Sequence, residues 1–469
     1  MPREIDPSTA PSSGASGADR KRAQRRARWL VTRELLRALG QALLLPARAI
    51  GQLCTAARWR ALLADDLATT PHPAPDRREL RLPPRPLRIF ISCAEPSGEI
   101  HAVNLVRSLR EALREAGAPE PRFVGLGGER LAGEGVELVG NPVASARMGF
   151  SGVLGALPVY LRLLTDAATE LVLGQDLCIG VDSPALHVPL AHMARAAGAT
   201  TVQHITPQYW GWAPWRVHGF RKAVDLALTI LPFEPAWFER QRVRVEHVGH
   251  PLLDEPSVAE ARPTVPEPEP PRLALLPGSR SSVIDRNLPV MLEALSEPLE
   301  RHRDWQVRVL QSGSKHDERI CAHLERSELD PQRVQLSHEL EPELARSTAA
   351  FSVSGTILVH LLRRGLPAVV QYRLEGALQE ALARRLLLVP HFSSVNLLAG
   401  QAVYPEFSFP GEAPPADLRE ALEQLLGSQE HRAAQREQLE LASARLGPPG
   451  ASHRAALAAL SLLSSTAAP

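Results

Sequence analysis

Short apolar runs alternate with longer amphipathic stretches along most of this chain, a pattern typical of parallel α/β proteins. The first series of runs ends before a Pro-rich stretch at residues 262–271. It predicts strands at Leu87–Cys93, Arg122–Leu126, Asp176–Val181, Thr200–Ile205 and Leu226–Leu231, and helices at Ile100–Ala116 and Leu186–Ala197.

The alternation restarts after the Pro-rich stretch. It predicts strands at Leu273–Leu276, Gln306–Gln311, Arg333–Leu336, Ala349–Val353 and Ala368–Tyr372, and then helices from Ala416 to Leu463. Two such arrays predict two doubly wound, Rossmann-like domains with a ligand held between the carboxyl ends of their strands. We expect the domains to span residues 87–261 and 272–415, with C-terminal helices at 416–469.

The first 86 residues differ from the rest in charge. The whole chain carries a net charge of +1, but residues 1–90 contain 17 basic and 8 acidic residues, a net of +9 that leaves −8 for the remainder. The Ser-, Gly- and Ala-rich start is expected to be disordered, and Pro71–Pro86 is expected to be a linker. A basic cluster at Arg20–Arg28 precedes Trp29 and leucines at helical spacing: Leu35, Leu36, Leu39 and Leu43.

A basic amphipathic segment bordered by tryptophan is typical of proteins that bind an anionic membrane surface. A solvated, partly helical tail is an equal alternative. Nucleic-acid binding ranks third, because the rest of the chain lacks a basic and aromatic surface pattern. No secretory signal is evident, and charged residues interrupt every apolar run before it could span a bilayer.

The amino-acid composition indicates a globular protein without structural disulfides. With 44% hydrophobic and 22% charged residues in 469, the chain is globular and long enough for two or three domains. The four cysteines are far apart, with no Cys-x-x-Cys pair, which argues against a disulfide framework or zinc site and fits a reducing compartment.

Two loops of the second array have the chemistry of phosphate sites. Gly278, Ser279 and Arg280 follow a predicted strand, with Ser279 at the expected helix N-cap; free N–H groups and an arginine fork suit phosphate there. Ser354-Gly355-Thr356 follows another strand and opens a helix at Ile357. An ordinary turn with a surface arginine is the alternative for the first loop. Together they favour a nucleoside diphosphate, and the absence of GxxxxGK[ST] and GxGxxG argues against P-loop and standard dinucleotide enzymes.

The first array supplies candidate acids and an aromatic segment. Glu95 and Asp182 follow predicted strands, where either could take a proton from a substrate hydroxyl, although a helix cap or loop salt bridge is the usual role of an isolated acid. Three of the seven tryptophans fall within residues 210–215. Because Gly and Pro interrupt this segment, we expect a loop that presents an aromatic wall to a sugar or acyl chain.

Taken together, these features resemble lipid-A-disaccharide synthase, a glycosyltransferase family with the GT-B fold. Eight segments carry the resemblance in the family's order, over about residues 87–410: Ala94–Glu99, Gly180–Pro184, Pro207–Trp212, Leu231–Glu234, Gly249–Pro251, Leu275–Arg280, Ser354–Thr356 and Asn396–Gly400. The resemblance implies an N-terminal acceptor domain and a C-terminal nucleotide-sugar domain that face a cleft.

The implied reaction transfers 2,3-diacylglucosamine, with inversion, from its UDP donor to 2,3-diacylglucosamine 1-phosphate (lipid X), releasing UDP, at the cytoplasmic face of the inner membrane. No metal or other cofactor is implied, and the oligomeric state stays open. The resemblance makes Asp182 the base and Glu95 its support. It places Gly278, Ser279, Arg280, Ser354, Gly355, Thr356, His360 and Asn396 on the donor, and Ser97, Tyr209, Trp210 and Trp212 on the lipid acceptor.

Three departures from the family pattern matter. Ala94 and Glu99 replace Gly and Asp. Ala185 and His187 replace the usual acid and amide of the acceptor side. His360 stands where a carboxylate typically grips two ribose hydroxyls, and a neutral imidazole can accept only one hydrogen bond. A catalytically silent relative that binds lipid or nucleotide is therefore an alternative. A GT-B nucleotide-sugar epimerase is a third, disfavoured by the Trp-rich segment and the basic end.

Overall fold

The apolar runs form two parallel β-sheets in the computed structural model, which describes residues 16–71, 73–144, 153–262 and 267–464. In the first sheet the strand order is β3-β2-β1-β4-β5-β6-β7. Its strands are β1 Arg88–Cys93, β2 Arg122–Leu126, β3 Glu137–Gly140, β4 Leu177–Val181, β5 Thr200–His204, β6 Leu226–Thr229 and β7 Val245–His247.

The second sheet has the order β10-β9-β8-β11-β12-β13, and all its pairings are also parallel. Its strands are β8 Arg272–Leu276, β9 Gln306–Leu310, β10 Val334–Ser337, β11 Ala349–Val353, β12 Ala368–Arg373 and β13 Glu406–Phe409. The α/β class with two doubly wound sheets is therefore confirmed.

Three strands have no counterpart in the predicted set: β3, β7 and β13. Each lies at the edge of its sheet, and at most one of its residues is fully buried. A half-exposed edge strand needs no continuous apolar run, so its sequence resembles that of a loop.

Helices cover both faces of each sheet. Before residue 262 they are α1 Gly17–Leu43, α2 Leu45–Leu67, α3 Pro96–Glu115, α4 Glu129–Gly133, α5 Val153–Val172, α6 Pro184–Ala197, α7 Tyr209–Trp212, α8 Val217–Ala223, α9 Glu234–Arg240 and α10 Pro256–Ala259. After it they are α11 Ser281–Arg301, α12 Asp317–Glu325, α13 Leu340–Ala345, α14 Ile357–Arg363, α15 Ala377–Leu386, α16 Ser394–Ala399, α17 Ala416–Gly427, α18 Gln429–Ala444 and α19 Ala451–Ser461.

Successive side chains of β1 point to opposite faces and build two cores. Ile89 and Ile91 pack with α3 and α19, whereas Phe90 packs with α5 and α6. The last helix, α19, thus returns from the second sheet to the first, where five of its alanines are fully buried. This return ties the C-terminus of the chain to the first domain.

The N-terminal segment is not a solvated tail over the residues that the structure describes. Helices α1 and α2 form a two-helix unit, called here the N-terminal hairpin (residues 17–67). Ala27 and Leu30 of α1 are buried in the core beside α5 and α6. In α2, Trp59 stacks at a tilt on Trp237, with ring centroids 6.3 Å apart. The expected disorder concerns residues 1–15, which lie outside the described part.

The hairpin also contacts the second domain. Gln52 Nε2 donates to the carbonyl oxygen of Trp212 at 3.0 Å and to that of Leu386 at 2.5 Å. Because Trp212 belongs to the first half of the chain and Leu386 to the second, the hairpin is an integral bridge between them.

Candidate active site

The loop after β4 holds Asp182 in a strained backbone conformation. Asp182 and Ser183 have φ values of 57° and 38°, in the left-handed region that non-glycine residues rarely adopt. Each such residue costs about 1–3 kcal/mol, so the conformation persists only if neighbours enforce it. Asp182 N donates to His204 O at 2.9 Å, and Gln203 Nε2 donates to Asp182 O at 2.9 Å. The loop is therefore preorganised.

His187, one of the departures from the family pattern, supports this loop. Its Nδ1 lies 2.6 Å from Asp182 O and its Nε2 lies 2.9 Å from Ser92 Oγ. Since a carbonyl only accepts, Nδ1 carries the proton and Nε2 accepts from the Ser92 hydroxyl. Burial lowers the pKa of His187 to about 4, so the ring is neutral at pH 7. His187 therefore positions Asp182 and is too buried to contact a ligand.

The surroundings of Asp182 raise the pKa of its carboxyl group. Burial raises its pKa, and the nearby Glu95 carboxylate raises it further. The Ser183 N–H and the Arg280 guanidinium act in the opposite direction, but the net shift is upward. A raised pKa makes a carboxylate a stronger proton acceptor.

Two predicted site residues from opposite domains meet directly. Arg280 Nη2 lies 2.5 Å from Glu95 Oε2, and both side chains are accessible to solvent. This ion pair joins the loop after β1 to the loop after β8 across the cleft. The sequence predicted both residues as functional but not their contact.

A cavity of about 440 Å³ lies beside this pair. Seven of the eight predicted donor residues line it: Gly278, Ser279, Arg280, Ser354, Gly355, Thr356 and His360. Ser97, predicted on the acceptor side, lines the same cavity from the opposite domain. Gln311 and Tyr372 also line it and were missed, because neither belongs to a recognisable motif.

Loop geometry explains the glycine of the first phosphate loop. Gly278 has φ +108°, and a Cβ there would lie 2.6 Å from Val283 Cγ1, so a larger residue would not fit. The predicted N-cap was one residue too early: α11 begins at Ser281 with Arg280 at the N-cap. In the second loop the predicted helix start at Ile357 is confirmed.

Glu341, also missed, holds His360 in place. Its Oε1 lies 2.7 Å from His360 Nδ1, and its other oxygen pairs with Arg364. Burial opposes ionisation of Glu341, but these hydrogen bonds lower its pKa overall. The ionised carboxylate accepts from Nδ1–H, which leaves Nε2 as the ring nitrogen free to meet a ligand.

Asn396 does not line the cavity, and its predicted contact with the donor stays a prediction. The side chain is fully buried and its amide is saturated within the fold. Nδ2 donates to Tyr404 O at 2.8 Å, and Oδ1 accepts from the backbone N–H groups of Val403 and Tyr404. Asn396 therefore clamps the segment that leads into β13.

The predicted aromatic wall does not present all its rings to solvent. Trp210 is only 2% exposed; its ring meets Phe233 edge-on at 4.9 Å and its Nε1 donates to Glu234. Tyr209 is buried edge-on against Phe220. Only Trp212 is exposed, at 43%, beneath the guanidinium of Arg216. The segment folds as a short helix that turns two rings inward, which its Gly and Pro content did not indicate.

Within the described ranges, no group of three or more His, Cys, Asp or Glu side chains could hold a metal ion. None of the helices described is both long and apolar enough to cross a bilayer. All four cysteines are free thiols.

Two parallel α/β sheets, a strained carboxylate on one side of a cleft and a phosphate-type cavity on the other, define a glycosyltransferase of the GT-B class. The family profile described as lipid-A-disaccharide synthetase matches residues 89–460. The chain belongs to this family.

Individual relatives agree. The lipid-A-disaccharide synthase of Myxococcus xanthus is 33% identical over 386 residues, which cover 81% of this chain and 98% of that protein. The one from Syntrophus aciditrophicus is 32% identical and covers 80% and 97%. Among solved structures, the S. aureus MnaA–UDP co-structure has a TM-score of 0.50 at 11% identity and covers 78% of this chain and 94% of that one, a likeness of fold alone. The hairpin lies outside the family match.

Proposed function

We propose that this protein transfers 2,3-diacylglucosamine from its UDP donor to lipid X and releases UDP. The observation that carries the proposal is the Glu95–Arg280 contact. Arg280 lines the phosphate-type cavity, and both Arg280 and Glu95 act on the pKa of Asp182, so the predicted base lies near both partners of this contact. The acceptor is assigned to the domain of residues 87–261 and the nucleotide sugar to that of residues 272–415.

In the proposed mechanism Asp182 accepts the proton of the acceptor's 6-hydroxyl. The oxygen forms a bond to the anomeric carbon of the donor as the bond to the diphosphate breaks, and the configuration inverts. UDP departs as an anion that Arg280 and the N–H groups of the two phosphate loops stabilise. When the diphosphate engages Arg280, Glu95 is released from its ion pair and turns to the acceptor side.

His360 is assigned to the ribose of the donor. With Nδ1–H held by Glu341, Nε2 accepts a hydrogen bond from one ribose hydroxyl. A single acceptor replaces the two that a carboxylate would offer, so donor binding is retained with a weaker grip.

We also assign the protein to the cytoplasmic side of the inner membrane as a peripheral protein. The hairpin exposes an unusual series of large apolar side chains, called here the hairpin apolar surface: Trp29, Leu36, Leu39, Leu43, Leu44, Leu45, Ile50 and Leu53. Arg22, Arg25 and Arg28 lie exposed on the same helix as Trp29. Apolar side chains beside arginines fit the interface of an anionic bilayer.

The test of the reaction is disaccharide formation from UDP-2,3-diacylglucosamine and lipid X, followed by mass spectrometry. Asp182→Asn is expected to lower kcat by roughly 10²–10⁴-fold, because it removes the proton acceptor. Asp304→Asn, at an exposed position of the second domain, is the control and retains full activity.

Turnover by the wild type that survives Asp182→Asn would contradict the mechanism. If the wild type binds the donor but forms no product, the catalytically silent alternative is favoured. The observation behind that alternative is His360, which stands where a carboxylate is usual. If expression of this protein restores growth to a synthase-deficient strain, that alternative is excluded.

A further inference from the structure

A second cavity lies where the hairpin meets the first domain. Its volume is about 300 Å³. Helix α1 and the start of α2 form one wall, with Arg37, Leu45 and Arg48. The opposite wall comes from one face of α6 and from the segment that follows β5, including Val188 and Arg216. Nearly half of the lining residues therefore come from a part of the chain outside the family match.

The cavity begins at the catalytic loop. Pro184 and Ala185 line it, and they follow Asp182 and Ser183 directly in the chain. Ala185 is one of the positions where an acid or amide would be usual in the family. A small side chain there leaves the start of the cavity open beside the base.

Two arginines of this cavity have no carboxylate partner among the residues that the structure describes. Arg48, from α2, is partly buried. Arg216 stacks over the ring of Trp212, 4.5 Å from its centroid, which fixes the guanidinium without neutralising it. Arg37 is hydrogen-bonded to both oxygens of Glu34, at 2.9 Å each. The cavity thus has an excess of positive charge.

A buried histidine also belongs to this cavity. His192 lines the cavity, and its pKa is lowered to about 4, first by burial and then by Arg37, Arg33, Lys222 and Arg195. The other lining residues are mostly apolar, among them Ala38, Leu45 and Val188. A partly enclosed, basic and apolar cavity suits a phosphate joined to an apolar body.

We propose that this hairpin cavity binds the phosphate group of the lipid acceptor through Arg48 and Arg216. The assignment rests on the proposed function. In 2,3-diacylglucosamine 1-phosphate the 6-hydroxyl and the phosphate flank a single sugar ring. An acceptor whose 6-hydroxyl reaches Asp182 therefore places its phosphate one ring away, where a cavity that begins at Pro184 can receive it.

The test compares Arg48→Gln and Arg216→Gln with Arg114→Gln, an exposed arginine of α3, as the control. Loss of a charge-assisted hydrogen bond is expected to raise KM for lipid X by roughly 10-fold or more. The KM for the donor and the affinity for UDP stay unchanged. With an acceptor that lacks the 1-phosphate, the KM of the two variants is expected to equal that of the wild type, because there is no phosphate for the arginines to bind.

Equal KM values for lipid X in all four proteins would overturn the proposal, as would an equal loss with the phosphate-free acceptor. A loss of binding to phosphatidylglycerol vesicles, with unchanged KM for lipid X, would assign the cavity to a phospholipid headgroup and overturn it too. Inorganic phosphate that competes with lipid X in the wild type but not in Arg48→Gln supports it.

Equilibrium binding of lipid X in detergent micelles, without donor, separates this site from the reaction. If the wild type forms no disaccharide, the proposed function fails. Weaker binding of lipid X to the two variants than to Arg114→Gln would still support the cavity, and equal binding would reject it. Unchanged circular dichroism spectra show that the variants are folded.

Discussion

At the scale of single residues, Asp182 is balanced between two opposite charges. Glu95 raises the pKa of its carboxyl group and Arg280 lowers it. A general base works only when deprotonated, so activity is lost as the pH falls through this pKa. We predict that Glu95→Gln moves the acidic limb of the kcat/KM profile to lower pH, and that Arg280→Gln moves it to higher pH.

The measurement is the full pH dependence of kcat/KM for both variants and the wild type. Shifts in the same direction for the two variants would contradict the charge argument, because a general loss of structure cannot move the limb in opposite directions.

His360 and Asn396 were both predicted to bind the donor, but only His360 lines the cavity, whereas Asn396 is buried within the fold. We predict that His360→Ala weakens UDP binding by roughly 3- to 10-fold, the value of one hydrogen bond, with an unchanged Tm. Asn396→Ala should leave UDP affinity unchanged but lower the free energy of unfolding by about 3 kcal/mol, because it strands buried N–H groups of Val403 and Tyr404. Calorimetric titration measures the UDP affinity, and denaturant unfolding measures the free energy of unfolding. Weaker UDP binding by Asn396→Ala, or a lower stability of His360→Ala, would contradict the prediction.

At the scale of elements, the hairpin combines a packed inner face with an apolar outer face. Leu39 and Leu43 are 61% and 83% exposed, so their replacement costs the fold little. We predict that Leu39→Ser with Leu43→Ser lowers partitioning onto anionic vesicles by roughly 10-fold or more, because two leucines no longer enter the interface. Vesicle co-sedimentation checks this, and higher salt should weaken binding of the wild type.

Leu441→Ser is the matched control, since Leu441 of α18 is 63% exposed but lies far along the chain from the hairpin. Equal vesicle binding by the double variant and the wild type would refute the role of the hairpin apolar surface. Point substitutions are needed because deleting the hairpin would expose the core beneath α1 and α2.

At the scale of the whole molecule, buried histidines make stability depend on pH. Burial lowers the pKa of His101, His187 and His247 to about 4 and of His204 and His250 to about 3, from an ordinary 6.5. Between pH 6.5 and about 4 the unfolded chain binds more protons than the folded one, so the free energy of unfolding falls as the pH falls.

Each of these histidines contributes at most about 1.4 kcal/mol per pH unit in that window. We therefore predict a Tm several degrees lower at pH 5 than at pH 7. His247→Gln should reduce this difference, while His218→Gln, at an exposed position, should not. Scanning calorimetry at pH 5 and pH 7 measures these Tm values. A wild-type Tm that is the same at both pH values would contradict the prediction.

The sequence by itself determined the features that short windows encode. Continuous apolar runs marked the buried strands, and the residues after β1, β4, β8 and β11 indicated the acids and the phosphate loops. The strand predictions are confirmed, and the site residues stay predictions. The candidate residues lie near one another because the carboxyl ends of parallel strands meet at one edge of a sheet, so local position along a strand becomes position in space. The eight ordered segments pointed to the family because each is a short motif that can be read from the chain alone.

Only the tertiary structure decided which side chains meet. It paired Arg280 with Glu95, gave His360 its partner Glu341, turned Trp210 into the core and used Asn396 as a clamp. It also docked the hairpin on both halves of the molecule and enclosed a second cavity. The reason is physical: burial and hydrogen bonding depend on neighbours far apart in the chain, and no local pattern of polar and apolar residues records them.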